Sequence, residues 1–329
     1  MMTWKTRIKM MVKALKMVRN NVRGYGVRVA MVKFAYEMVC LCYFPEKCQK
    51  WFFNKQYIPT IYSYLNRQYA PLVEKYKTRL SEIKEGDTIW TMWWQGESEA
   101  PEIVKSCINS IRKHTDKHVV VLDKDTYQDY VDIPKFLFTL IEEGRMTLTK
   151  LSNIIRLKVL SQYGGFWMDA TVYVTKDFPE NLFTENFYTH HDRLTDGISR
   201  LRWSTFFMGG RDVLLFHFLY DAHIQYWKDI LSKKEIGIID YFLFDFFIIL
   251  AYEHLPIVRK EIDAVPLNNP HMHDIEPVLS HTYQGFYEDT YAYKLTYKIK
   301  SKKEKDGEQT YFGRIVSGEK LQETQESVS

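Results

Sequence analysis

YGGFWMDATVYV, residues 163–174, opens with two glycines, runs through β-forming residues and is interrupted once, by the carboxylate of Asp169. Phe166, Trp167, Val172, Tyr173 and Val174 favour a half-buried strand. A charge inside such a run fits if the strand is short and the acid lies at its end, or if the glycines permit a bulge beside it.

The segment before it, LTKLSNIIRLKVLSQYGG, spaces Leu151, Ile154, Ile155, Leu157, Val159 and Leu160 as a buried helix, with Gly164 near its end. Further upstream, SEIKEGDTIWTMWWQG supplies a polar turn and a first strand beginning near Asp87. APEIVKSCINSIRKHT then carries Ile103, Cys107, Ile108 and Ile111 at helical spacing, and HVVVLD reads as a short buried strand. Strand, helix, strand is the opening of a parallel α/β sheet. Such sheets gather ligands beyond the carboxyl ends of their strands, which is where Asp169 would lie if its strand is short. Taken alone, the acid has two readings: a hard oxygen ligand for a divalent cation, or a strand-end Asp capping the next turn.

The chain has 329 residues, enough for one large core with an extension or for two modest domains. Residues 1–84 carry 17 Lys+Arg against 4 Asp+Glu, and the remainder 28 against 37, so the net charge of +4 hides a basic arm on an acidic body. Within the arm, Trp4, Ile8, Met11, Leu15, Val18 and Val22 share one helical face, with Lys5, Lys9, Lys13, Lys16 and Arg19 elsewhere on the surface. Two readings fit: a basic amphipathic helix lying on an anionic membrane through residues 1–24, or the same stripe docked on the body. The apolar stretch Val27 to Phe44 is broken by Arg28, Lys33 and Glu37, so it reads as no spanning helix. Without a signal-like start, the expected location is the cytoplasm, at the inner face of the membrane if the arm binds lipid. Cys40, Cys42 and Cys48 lack a fourth partner and a CxxC pair, which predicts reduced thiols and no zinc site.

The run LSNIIRLKVLSQYGGFWMDATVYV, residues 151–174, resembles the Ser-Asp-x-x-Arg … Gly-Gly-x-aromatic-x-Asp-x-Asp block of glycosyltransferases with a DXD-type sugar-binding region, as in glycosyltransferase family 32. It is more similar to the bacterial capsular polysaccharide synthesis proteins, whose version reads Gly-Gly-x-Trp-x-Asp-Ala-Thr. IWTMWWQGESEAPEIVKSCINSIRKH upstream, with WSTFFMGG and DYFLFDFF downstream, extends the resemblance over roughly residues 87–300.

The resemblance implies an α/β fold of the GT-A type, a Rossmann-like domain that holds a nucleotide-sugar donor. Composition and pattern divide the chain into a basic helical extension (1–84), a main domain (85–300), which the resemblance makes a glycosyltransferase domain, and a polar, charged tail (301–329) read as loosely ordered. Carried over residue by residue, the resemblance implies that Trp93 stacks on the donor base, with Gln95 and Gly96 shaping the backbone around it. Arg156 and Asn153 would reach the donor sugar or phosphates, Gly164 and Gly165 would let backbone approach the ligand, and Trp167 would flank it. Asp169 would be the first acid of the DXD element, binding ribose or Mn²⁺ or Mg²⁺. Two departures stand out. Thr171 replaces the second acid and is a poorer cation ligand, and Asn153 replaces the Asp before the arginine.

Asp240, Tyr241 and Asp245 are candidates for contacting a saccharide acceptor, against the reading that Asp240 caps a helix. His271, His273 and His281 lie on an irregular stretch, as metal ligands or as solvated side chains. The expected activity is transfer of a sugar to a hydroxyl of a capsular or lipid-linked polysaccharide, retaining at the anomeric carbon. Its rivals are a noncatalytic assembly scaffold on the same fold, and an adaptor acting through the basic arm. As partners, the reading favours donor, acceptor and a membrane surface over nucleic acid.

Overall fold

A computed structural model of the chain describes residues 4–192, 197–233 and 237–318. The arm forms α1 (Trp4–Tyr25), α2 (Val27–Leu41), α3 (Glu46–Phe52), a π-helical turn (Phe53–Tyr57) and α4 (Ile58–Lys77). The expected strand, helix and strand follow as β1 (Thr88–Met92), α5 (Glu102–Lys113) and β2 (His118–Leu122). After α6 (Phe136–Glu142), the buried helix α7 (Leu148–Tyr163) delivers the chain into β3 (Gly165–Met168).

The run expected as one strand from Phe166 to Val174 divides at Asp169. Its second half, β4 (Val172–Val174), leaves the main sheet to pair antiparallel with β7 (Ala292–Lys294). The break is a turn in which the Val172 amide donates to the Asp169 carbonyl at 2.9 Å, while the Asp169 amide donates to Phe206 O. Asp169 therefore sits at the carboxyl end of a four-residue strand. In β5 (Tyr188–Thr189) and β6 (Phe207–Gly210) the chain completes a five-stranded sheet of order β2-β1-β3-β6-β5. β1 runs parallel to β2 and β3, whereas β6 is antiparallel to β3 and β5, so the sheet is mixed. The stretch 203–255 holds β6 and then α8 (Leu214–Ser232) and α9 (Leu243–His254).

Gly164 and Gly165 both have positive φ. A Cβ on Gly165 would lie 2.3 Å from the Thr88 carbonyl oxygen, so only glycine lets β3 begin this close to β1. The pair lies at the opposite end of β3 from Asp169; the close approach it permits is to a neighbouring strand, not to a ligand.

Packing does not part at residue 84. Tyr69 packs edge-on against Phe247 at 4.8 Å and Tyr76 against Phe218 at 5.4 Å, and Ile61 and Leu65 are fully buried in the cluster that holds α7, α8 and α9. Helical periodicity reveals an apolar face but not what covers it, which is why α4 read as extension. The far end of α1 is different: Trp4, Ile8 and Val12 are exposed. The side chains of Lys5, Lys9, Met11, Lys13, Leu15 and Lys16 lie outside the described residues.

After α10 (Pro256–Ala264) and β7, residues 301–318 depart from the expected loose tail. They form the hairpin β8 (Glu304–Lys305) and β9 (Glu308–Gln309) and then α11 (Tyr311–Ser317), capped where the Thr310 side chain accepts from the Gly313 amide. Tyr311, Ile315 and Val316 are buried with Val104 and Ile108 of α5, an apolar face too short to stand out in a charged stretch. Residues 319–329 lie outside the described residues.

Gly165→Ala tests the strand contact. The added methyl meets backbone at an unfavourable φ, so the variant is expected to lose about 1–3 kcal/mol of stability and to melt below the parent in a thermal denaturation.

Candidate functional site

Thr147 caps α7 by accepting from the Lys150 amide, and the apolar positions of the helix turn into the core. Lys150, Asn153 and Arg156 follow at three-residue intervals, which keeps them near one side of the helix. The buried Arg156 extends from that side to the break after β3. Its Nη2 donates to Asp169 Oδ1 at 2.8 Å and its Nη1 to the Thr205 carbonyl, with the guanidinium 4.7 Å from the Trp167 ring centre. Trp167 Nε1 donates to the same carboxylate oxygen at 2.9 Å. The other oxygen, Oδ2, accepts from Lys294 Nζ at 2.8 Å, and Lys294 also donates to Thr171 Oγ1 at 2.6 Å.

These groups open onto a cleft of about 490 Å³, within the range of small-molecule sites. Its polar wall comprises Lys150, Asn153, Arg156, Asp169, Asp245 and Lys294; its apolar wall includes Trp203, Phe206, Phe242 and Phe244. The Asn153 amide makes no hydrogen bond to any described residue and is free to meet a ligand. A second cavity of about 740 Å³ adjoins at Gly197 and Ile198 and is lined by Lys47, Lys50, Lys55 and Arg202.

Two carboxylates in one cleft are tuned apart. Burial works to raise the Asp169 pKa, but the Lys294 ammonium and Arg156 guanidinium outweigh it and hold the group below the usual value. Asp245 has no such pairing. Burial pushes it up to about 6, only partly opposed by the hydrogen bond it accepts from Trp203 Nε1 at 3.0 Å. Burial also lowers the Arg156 pKa, and Asp169 and Asp245 counter that effect.

Asp169, Arg156, Asn153, Tyr241 and Asp245 of the expected site thus line one cleft. Other expected residues lie elsewhere. Trp93 follows β1 at the same sheet edge, but its ring packs edge-on against Tyr297 at 5.1 Å and belongs to the cluster around α5, outside the cleft lining. Gln95 and Gly96 continue that loop, Gln95 exposed and Gly96 at φ +91° beside Asp123. Trp167 is buried under Arg156 and acts on the cleft through Asp169.

Asp240 accepts from Tyr57 Oη at 2.6 Å and from the Phe242 amide at 2.7 Å, so it holds the turn before α9. The helix itself starts at Leu243 without a side-chain cap, so Asp240 is neither its cap nor an acceptor contact in the cleft lining. His271 stacks on Tyr287 and pairs with Asp274, His281 is exposed, and His273 alone of the three reaches the cleft. Sequence reasoning missed Lys150 and Lys294. The three-residue stripe on α7 could have revealed Lys150; nothing local marks Lys294, which arrives on a three-residue strand.

Asp169 was expected to hold Mn²⁺ or Mg²⁺, and the residues present do not fit a divalent cation. Both Asp169 oxygens already face cationic donors, and the hydroxyl standing in for the second acid accepts from Lys294. Among the described residues no group of three or more His, Cys, Asp or Glu is arranged to hold a metal ion.

The architecture is that of an α/β protein with a cation-lined cleft at the carboxyl end of a parallel strand. The chain belongs to the capsular polysaccharide synthesis protein family, whose model matches residues 42–315. The match starts well inside the arm and ends within α11, agreeing with the packing of both into the core. Its role is accordingly in the synthesis of capsular polysaccharide. No curated protein matches the chain.

The paired carboxylates predict opposite pH signatures. Asp169, with a depressed pKa, stabilises the fold above its unfolded value of 3.8, and that contribution is lost as pH falls through the lower folded value. Asp245, with a raised pKa, costs stability as pH rises from 3.8 to about 6. In melts over a pH series, Asp169→Asn is expected to melt below the parent at neutral pH. Asp245→Asn is expected to match or exceed the parent there, with its advantage vanishing in acid.

Proposed function

We propose that this protein is a glycosyltransferase that moves a sugar from a nucleoside-diphosphate donor to a hydroxyl of a capsular or lipid-linked saccharide. The observation that carries the reading is the placement of Lys150, Arg156 and Lys294 around one cleft at the end of β3, whose lining includes the Asn153 amide, without a hydrogen-bond partner among the described residues. In sugar transfer the bond from the anomeric carbon to the diphosphate oxygen breaks and its electron pair stays on that oxygen. Fixed cations facing the oxygen lower the barrier. The acceptor oxygen bonds to the anomeric carbon, and its proton passes to the departing diphosphate, which fits retention and requires no dedicated base. Asp245, carried on α9 and hydrogen-bonded to Trp203, is suited to accept a hydrogen bond from the acceptor hydroxyl.

The family's role in capsule synthesis supports the saccharide substrate, and the chemistry of the cleft supports the diphosphate. Incubating the protein with a panel of nucleotide sugars should release nucleoside diphosphate from at least one of them. Arg156→Ala should slow that release by about 100-fold or more, the usual cost of removing a preorganised charge stabiliser. Absence of release from every donor would favour the scaffold reading instead.

The acceptor's surroundings add a second element. Among the described residues no helix is long and apolar enough to cross a membrane. Trp4, Ile8 and Val12 nonetheless stand exposed on α1, and Val27 and Met31 on α2, in a strongly basic segment. This pattern suits shallow insertion into an anionic leaflet at its cytoplasmic face. Trp4→Ala with Ile8→Ala is expected to reduce co-sedimentation with vesicles containing anionic lipid, while donor turnover in solution is unchanged.

A further inference from the structure

We infer that Lys294, not a divalent metal ion, supplies the cation that meets the donor diphosphate, so that this transferase binds and uses its donor without metal. The inference rests on the glycosyltransferase reading and deepens it. Its starting point is a substitution of charge. In a DXD element two carboxylates neutralise the metal they hold, leaving the diphosphate to be met by the ion's open positions. Here the second carboxylate is Thr171, and the position between it and Asp169 is filled by an ammonium group that bonds both, at 2.8 Å and 2.6 Å. One acid therefore anchors two cations, Lys294 and Arg156, and the cluster keeps a net charge of +1 facing the cleft.

The geometry leaves donors for a ligand. An ammonium group has three N–H bonds; Asp169 and Thr171 take two, and the third remains while Lys294 lines the cleft. Asp169 holds both heads in place rather than serving as a metal ligand, with Trp167 fixing the carboxylate from behind at 2.9 Å. Lys294 also lies 5.0 Å from the ring centre of Phe206, an aromatic wall that limits where the ammonium can swing.

The test is binding of UDP, GDP, CDP and dTDP to the purified full-length protein by titration calorimetry, once in excess EDTA and once with MnCl₂. The expected result is that the nucleotide that binds does so with the same affinity in both. Lys294→Ala should weaken it by about 10- to 100-fold, the worth of one charge-assisted hydrogen bond, and Lys294→Arg should weaken it less. Circular dichroism melts establish that each variant is folded. A second variant makes the opposite demand: Lys294→Ala combined with Thr171→Asp restores two acids and removes the resident cation, and its binding should recover with MnCl₂ but not in EDTA. Parent binding that requires MnCl₂, or a folded Lys294→Ala that binds as the parent does, overturns the assignment of Lys294 alone. Failure of every nucleotide to bind under either condition overturns the glycosyltransferase reading along with it.

Discussion

One carboxylate joins three parts of the chain. Asp169 pairs with Arg156, 13 residues before it on α7, and with Lys294, 125 residues after it on β7. The turn at Asp169 is also where β3 ends in the main sheet and β4 departs for the small one. Asp169 is the carboxylate in direct contact with the buried Arg156, with Asp245 acting from further off, and removing Asp169 would leave two cations to be solvated or moved. Such clusters contribute little net stability compared with an apolar core of similar volume. Their value lies in a fixed arrangement of charge, which an anionic ligand can use and a hydrophobic core cannot.

The strength of that arrangement comes from what surrounds it. Trp167 is buried behind the carboxylate, and its ring also faces the Arg156 guanidinium, so one side chain orients both members of the pair. Asp245, across the same cleft, shows what the Asp169 environment does by contrast. Without a cation in direct contact, burial dominates and lifts its pKa to about 6. Two aspartates on the walls of one cleft thus differ in protonation tendency because one has cations as neighbours and the other an indole. A cleft of this kind offers a permanent charge anchor at one wall and, at the other, a carboxyl group whose pKa burial lifts well above the usual carboxylate value.

Much of the parallel half of the fold was readable from local pattern. The β-forming run at Thr88–Met92, the helical spacing of α5 and α7 and the short strand at His118–Leu122 all follow from residue type and period, and the order of these elements defines the sheet edge. Asp169 stood out because a charge in an apolar run demands an explanation. Lys294 did not, because a lysine in AYK is ordinary until β7 pairs with β4, setting it opposite Val172 with its ammonium group on the Thr171 hydroxyl. Trp93 shows the reverse limit. Its chain position lies at the expected edge, but the direction of the ring is decided by Tyr297, a contact across more than two hundred residues that no local pattern encodes. The same reason hid the split of residues 166–174: propensity favours strand on both sides of Asp169, and only the pairing partners determine that the halves belong to different sheets.

The N-terminal helices bear on the cleft through a short chain of contacts. Tyr25, the last residue of α1, hydrogen-bonds Tyr226 at 2.9 Å, and Tyr226 accepts from the Ile239 amide at 2.7 Å. Lys33 of α2 donates to the Ile239 carbonyl, and Tyr57 holds Asp240. The next residue is Tyr241, whose carbonyl accepts from Lys150 on the cleft wall at 2.6 Å. The segment from Ile239 to Phe242 is therefore fixed from one side by the arm and from the other by α7. The arm falls into two parts with different physics: Trp4, Ile8 and Val12 near its start are exposed, whereas Val18 and Val22 are half-buried and from Tyr25 onward its contacts hold the loop that borders the cleft. The basic helical segment is continuous in sequence, but only its later part is tied to the body.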